Sequence, residues 1–186
     1  MNIIKALASK VIGLDMVKKI AVEEIIKINI NMNLNLSVKV MYEHIGLANV
    51  KTSFYTIRYG LELHSIVVEP IIFINPVTVR ASCLSFGLFT KEELRPVIKA
   101  LILHEVGHYL SFTEERRYKH LMAKLQEING WGCVFGFTKE FIQYNEQLAD
   151  DFAKSNCTEE EWNIFYLMTT KKTIGKVIMA KLLLSK

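Results

Sequence analysis

The stretch LILHEVGHYLSF, residues 101–112, sets His104, Glu105 and His108 into an otherwise apolar run. In a helix, residues four apart lie one turn apart on one face, so both imidazoles can aim a nitrogen at a common point. Zinc suits such a pair: it takes neutral imidazole at about 2.0 to 2.1 Å in a tetrahedral shell and, in catalytic sites, keeps one position open for water. Glu105 lies about 100° around the helix from His104, placed to take a proton from that water without being a ligand. At this chain's own His and Glu frequencies, chance yields HExxH in roughly one chain in a hundred. Two ligands do not make a site, so the reading turns on a third.

Three residues compete for that place. Glu114 follows His108 by six residues, the spacing of the HExxHxxGxxH zinc proteins, but their chain turns at a glycine where this one has Ser111. His120 lies further along with no motif around it. Glu146, in the run NEQLADDFA, is followed one turn later on the same face by Asp150. A facing helix would bring Glu146 to the metal, and Asp150 would accept the free ring N–H of a ligating histidine.

The pairing of HEVGH with Glu146-Gln147-Leu148-Ala149-Asp150-Asp151-Phe152-Ala153, an E-x-x-A-D-x-F-A pattern, resembles the gluzincin metallopeptidases. Within that clan the second motif is most similar to the ImmA/IrrE-type peptidases, the CAAX prenyl proteases and the minigluzincins. The resemblance implies His104, His108 and Glu146 as ligands of one zinc ion per chain, Glu105 as general base and Asp150 as the partner of a ligand imidazole. It covers residues 101–153 in detail and the upstream strands only in outline. The membrane helices of the prenyl proteases and the DNA-binding region of the IrrE type have no counterpart, which leaves a small zincin nearest the minigluzincins.

The rest of the chain reads as α+β. Leu34, Leu36, Val38 and Val40 alternate with polar residues as a half-buried strand does, and SFYTIRYG and SIVVEPIIFIN are two further strands. Pro70 and Pro76 make the last of these an edge strand or one entered at a bend. IIFIN is the strand along which an extended substrate is expected to lie. Thr90 and Glu93 form a capping box, with Phe89 and Leu94 as its hydrophobic staple. Pro96 predicts a kink or restart, the helix proper then beginning near Val97. Further helices are expected over residues 116–128, from Thr138, from a second capping box of Thr158 and Glu161, and through IGKVIMAKLLL. Gly130, Gly132 and Gly136 mark a turn.

These elements amount to a zincin-like fold: a small mixed sheet with its edge strand over the HExxH helix, a facing glutamate helix, and extra helices at both ends. A single domain over residues 1–186 is expected, with residues 1–30 as a helical extension. In that extension Ile4, Leu7, Val11, Leu14, Val17, Ala21, Ile25 and Ile28 follow helical spacing, which we read as packing on the core.

Composition narrows the function further. The chain is 51% hydrophobic with a mean hydropathy of +0.21, yet no apolar run reaches the roughly 18 residues of a membrane span. The N-terminus lacks a signal-peptide cleavage site, and Cys83, Cys133 and Cys157 form no CxxC pair, so a cytoplasmic protein with inert thiols is expected. A net charge of +4 without a basic, aromatic-interleaved cluster predicts no nucleic-acid partner. Basic amphipathic termini leave a weak contact with a membrane or an acidic partner open.

The function expected is a zinc-dependent endopeptidase acting on a protein or peptide, with Glu105 as the general base for a metal-activated water. The oxyanion donor is open among Tyr109, Tyr144, Tyr166 and His120. The alternative is a non-catalytic or regulatory protein of the same fold whose zinc is structural or vestigial. A metal-free helical core is the remaining reading, and it must find other partners for two buried imidazoles.

Overall fold

In the order of the chain, the secondary structure is α1 (Leu14–Met32), β1 (Ser37–Val40), β2 (Ala48–Tyr55), β3 (Ser65–Ile74), α2 (Pro76–Ser85), α3 (Lys91–Thr113), α4 (Glu115–Asn129), α5 (Lys139–Asn156) and α6 (Glu159–Thr170). The computed structural model describes residues 13–42, 48–55, 65–88, 90–129 and 138–170. The staple residue Phe89, the glycine-marked turn, Cys133 and the helix expected through IGKVIMAKLLL lie outside them.

Local signals explain most of the helix boundaries. Thr90 and Glu93 form the reciprocal capping box that opens α3, their side chains each accepting the other's backbone N–H. Thr158 and Glu161 repeat it at the start of α6, and Thr138 caps α5 by accepting the Phe141 N–H. Helix α1 ends on Asn33 in the left-handed conformation, φ 53°, which asparagine tolerates better than most residues. One turn earlier, the Asn29 amide bonds both the N–H and the C=O of Leu36, as a neighbouring strand would. That clamp fixes the entry to β1.

Two expectations are corrected. Helix α3 passes through Pro96 as one continuous helix from Lys91, with no restart at Val97. The proline removes a single backbone bond near the start of a long helix, whose first turns are capped and packed on α1. The other correction concerns IIFIN, whose Ile71–Ile74 lie in β3, the central strand of a three-stranded sheet ordered β1-β3-β2. It pairs in parallel with β1, Ser37 opposite Ile71 through Val40 opposite Ile74, and antiparallel with β2, Ala48 opposite Ile74 through Tyr55 opposite Ser65. Pro70 is accommodated because the β2 register shifts between Val50 and Thr52, leaving an irregular stretch that needs no N–H from it. The outer strands among the described residues are β1 and β2.

Helix α2 has no counterpart in the sequence reading. Asn75 accepts from the N–H groups of Val77 and Thr78 at 3.1 and 3.2 Å, and Pro76 occupies the first helical position. An Asn-Pro pair that ends a strand is therefore also a helix start, since proline there loses no bond the helix needs.

Helix α3 is the centre of the protein, packing on α1, α4, α5, α6, β2 and β3. Leu94, Val97, Ile98, Leu101, Ile102, Leu103 and Val106 are buried along it. Helix α1 brings Val17, Ile20, Ala21, Ile25 and Ile28 into the same core, as its spacing predicts. Glu23 and the buried Glu24 of α1 also pair with Arg95 of α3. Burial pushes the thiols of Cys83 and Cys157 up to about 11, so both stay protonated near neutral pH.

The tightest helix contact is between α3 and α5. A methyl group on Gly107 would lie 2.8 Å from the Ala149 Cα, and 3.1 Å from both the Ala149 oxygen and the Phe152 Cβ. Helix propensity favours alanine over glycine by about 1 kcal/mol, whereas overpacking costs about 1 to 3 kcal/mol. Because the obstacle here is backbone, Gly107→Ala should lower stability, read as a lower urea midpoint, and should also weaken metal binding by spreading the helices.

Candidate metal centre

The close approach at Gly107 sets the α5 carboxylates over the α3 imidazoles. His104 Nδ1–H donates to Asp150 Oδ1 at 2.8 Å, which leaves His104 Nε2 with its lone pair directed away from Asp150. His108 Nε2 lies 3.1 Å from His104 Nε2. Glu146 bridges the two rings, one oxygen 3.4 Å from each Nε2. Among the described residues, His104, His108 and Glu146 form a group that could hold a metal ion.

The donor set fits a metal on three grounds. Ligands at about 2.0 to 2.2 Å from a shared tetrahedral centre stand roughly 3.3 Å from one another, close to the 3.1 and 3.4 Å found here. Two imidazole lone pairs and a carboxylate are all acceptors, so only a cation or a proton between them relieves their repulsion. His108 Nδ1 and Asn145 Oδ1 are both buried without a hydrogen-bond partner. They sit on the two helices that carry the group, His108 on α3 and Asn145 directly before Glu146 on α5, and His108 Nε2 is the ring nitrogen turned toward the other donors. Asn145 is absent from the sequence reading. Its position directly before Glu146, the candidate third ligand, was the available signal.

Burial and charge distribute unevenly over the site. The side chains of His104 and His108 are 12% and 10% exposed, against 55% for Glu146, so access from solvent is on the α5 side. Glu105 is buried, and its charge acts on His104. Burial pulls the His104 imidazole down, but hydrogen bonds to Asp150 and Glu146 and the charges of Glu105 and Asp150 outweigh it and hold the ring up to about 10. Hydrogen bonds from His104 and His108 hold the Glu146 carboxyl well below the usual carboxylate range, against its desolvation. Phe165 of α6 tilts against the His104 ring, 6.2 Å between centroids.

The other candidates for third ligand are used elsewhere. Glu114 caps the end of α3 and pairs with Arg117 at 2.6 Å. His120 Nε2 shares a hydrogen bond of 2.6 Å with the Tyr144 hydroxyl, tying α4 to α5. Of the remaining oxyanion candidates, Tyr109 packs against the core and Tyr166 lies against Trp162. No described helix is long and apolar enough to cross a membrane. Comparison of the chain with protein-family models, curated proteins and solved structures finds no match.

The raised His104 gives a signed pH dependence. In the metal-free protein its charge contributes stability at neutral pH that is lost as pH rises through about 10. A metal must displace that proton, so zinc affinity should rise about tenfold per pH unit between pH 7 and 9, with about one proton released per ion. Competition with a chromophoric chelator, and calorimetry in buffers of different ionisation enthalpy, read the two quantities. Asp150→Asn should weaken zinc binding by about 10- to 100-fold without unfolding the protein.

Proposed function

We propose that this chain is a zinc-dependent endopeptidase with a zincin-like fold, related in its site to the gluzincins. One observation carries the reading: His104, His108 and Glu146 converge from two helices while Asp150 holds the outer nitrogen of His104. That combination of three ligands, an oriented tautomer and an adjacent carboxylate is what metal-assisted hydrolysis requires. Zinc bound there would supply Lewis acidity, polarising a carbonyl and lowering the pKa of water.

The chain's own residues supply the rest. Glu105, buried beside His104, takes a proton from the attacking water and returns it to the leaving amine. Asp150 keeps His104 in the Nδ1–H tautomer, so its Nε2 remains a ligand. The half-exposed Glu146 leaves the approach to the site open. Since IIFIN is central in the sheet, the strand suited to a bound peptide is β2, an antiparallel outer strand packed on α3.

Metal analysis should return about one zinc per wild-type chain, and His104→Ala and Glu146→Ala should each lose it. Glu105→Gln should keep the metal and lower cleavage of a peptide library by at least about 100-fold. Cleavage by Glu105→Gln at the wild-type rate would show that another group is the base. A zinc-loaded wild type that cleaves nothing would favour the regulatory alternative.

A further inference from the structure

Helix α6, Glu159–Thr170, lies outside the stretch that resembles the gluzincins, residues 101–153, yet it reaches the metal centre. Its buried residues Trp162, Phe165 and Met168 recur every third position and so share one face of the helix. That face packs into the core, and the helix is fastened near both ends. Glu161 pairs with Lys99 of α3 at 2.7 Å, and the Met168 sulfur lies 3.9 Å from Cys83 Sγ of α2.

Phe165 sits between those anchors. Its side chain is 3% exposed, and its ring is tilted 47° to the His104 ring with centroids 6.2 Å apart, within the range of aromatic pairs. Trp162 backs it at 5.6 Å. Asp150, Glu146 and His108 meet the same imidazole through polar atoms, so Phe165 supplies an apolar wall that the ligand helices do not.

An imidazole turns about its Cβ–Cγ bond in a broad well, so that torsion does not by itself fix where Nε2 points. The hydrogen bond to Asp150 pins Nδ1. A ring pinned at one nitrogen still swings about that contact, and a buried, backed ring beside it limits the swing. A metal ligand has to be held to within about 0.5 Å and 10 to 20°.

We infer that Phe165 is a positioning residue of the metal centre, holding the His104 imidazole in the orientation that keeps Nε2 toward His108 and Glu146. The inference rests on the reading of His104, His108 and Glu146 as metal ligands. It makes α6 part of the site although α6 contributes no ligand.

The test uses the full-length protein and variants of α6. Phe165→Leu and Phe165→Met keep an apolar side chain and remove the flat ring, Phe165→Tyr keeps the ring, and Met168→Val loosens the same helix at its Cys83 contact. Chelator competition gives the zinc Kd, the visible spectrum of the cobalt-substituted protein reports ligand geometry, and the urea midpoint reports stability. Phe165→Leu and Phe165→Met should each raise the zinc Kd by about tenfold or more and change the cobalt bands. Phe165→Tyr should return both close to wild type, and Met168→Val should lower the urea midpoint while leaving Kd and bands unchanged. Wild-type Kd and bands in Phe165→Leu and Phe165→Met overturn the inference alone. So does a rise in Kd as large in Met168→Val, which would reduce α6 to a support for the fold. A wild type that takes up neither zinc nor cobalt overturns the metal reading, and the inference with it.

Discussion

The contact of Gly107 with Ala149 governs the arrangement of the site. Two helices normally pack with axes about 8 to 10 Å apart, a distance set by the side chains between them. Here a hydrogen on one side and a methyl on the other bring the backbones together, with no room for a further carbon. Because helices are stiff, one close crossing fixes the positions on either side of it. Asp150 then lies against His104, and Glu146 spans His104 and His108. The buried apolar residues of α3 hold the other half of the arrangement still.

The same crossing concentrates groups that repel one another unless something is shared between them. Two imidazoles and a carboxylate gathered in a largely buried place are costly on their own. In the metal-free protein a proton on His104 relieves the repulsion, which is why its affinity for that proton is raised. A metal bound there would therefore compete with that proton for one position. The ion-pair cluster of Glu23, Glu24 and Arg95 is different in kind, since each acid there faces a permanent cation. That cluster joins α1 to α3.

Much of the architecture was legible because its causes are local. The capping boxes at Thr90 and Thr158, the cap at Thr138 and the apolar spacing of α1 each depend on neighbours in the chain. Readings failed where distant parts of the chain decide. Proline in SIVVEPIIFIN argued for an edge, yet the register shift of β2 lets Pro70 sit in the central strand. Pro96 argued for a restart, yet capping and the packing of α1 carry α3 through it. Helix α2 was missed because Asn75-Pro76 was read only as the end of a strand.

For the site itself, the chain by itself determined which residues have the chemistry: an i, i+4 histidine pair with a glutamate between them, and a second helix bearing Glu146 and Asp150 on one face. Periodicity within a helix supplies that, since 3.6 residues per turn decide which side chains share a face. It left Glu114, His120 and Glu146 as rivals, because sequence separation says nothing of distance across a fold. Only the tertiary structure brings one of them, Glu146, to the two imidazoles, by crossing α5 over α3 at Gly107 while Glu114 and His120 find other partners. Asn145 and Gly107 gained their meaning at the same step: an orphaned amide oxygen and a missing Cβ matter only once a second helix is close enough to feel them.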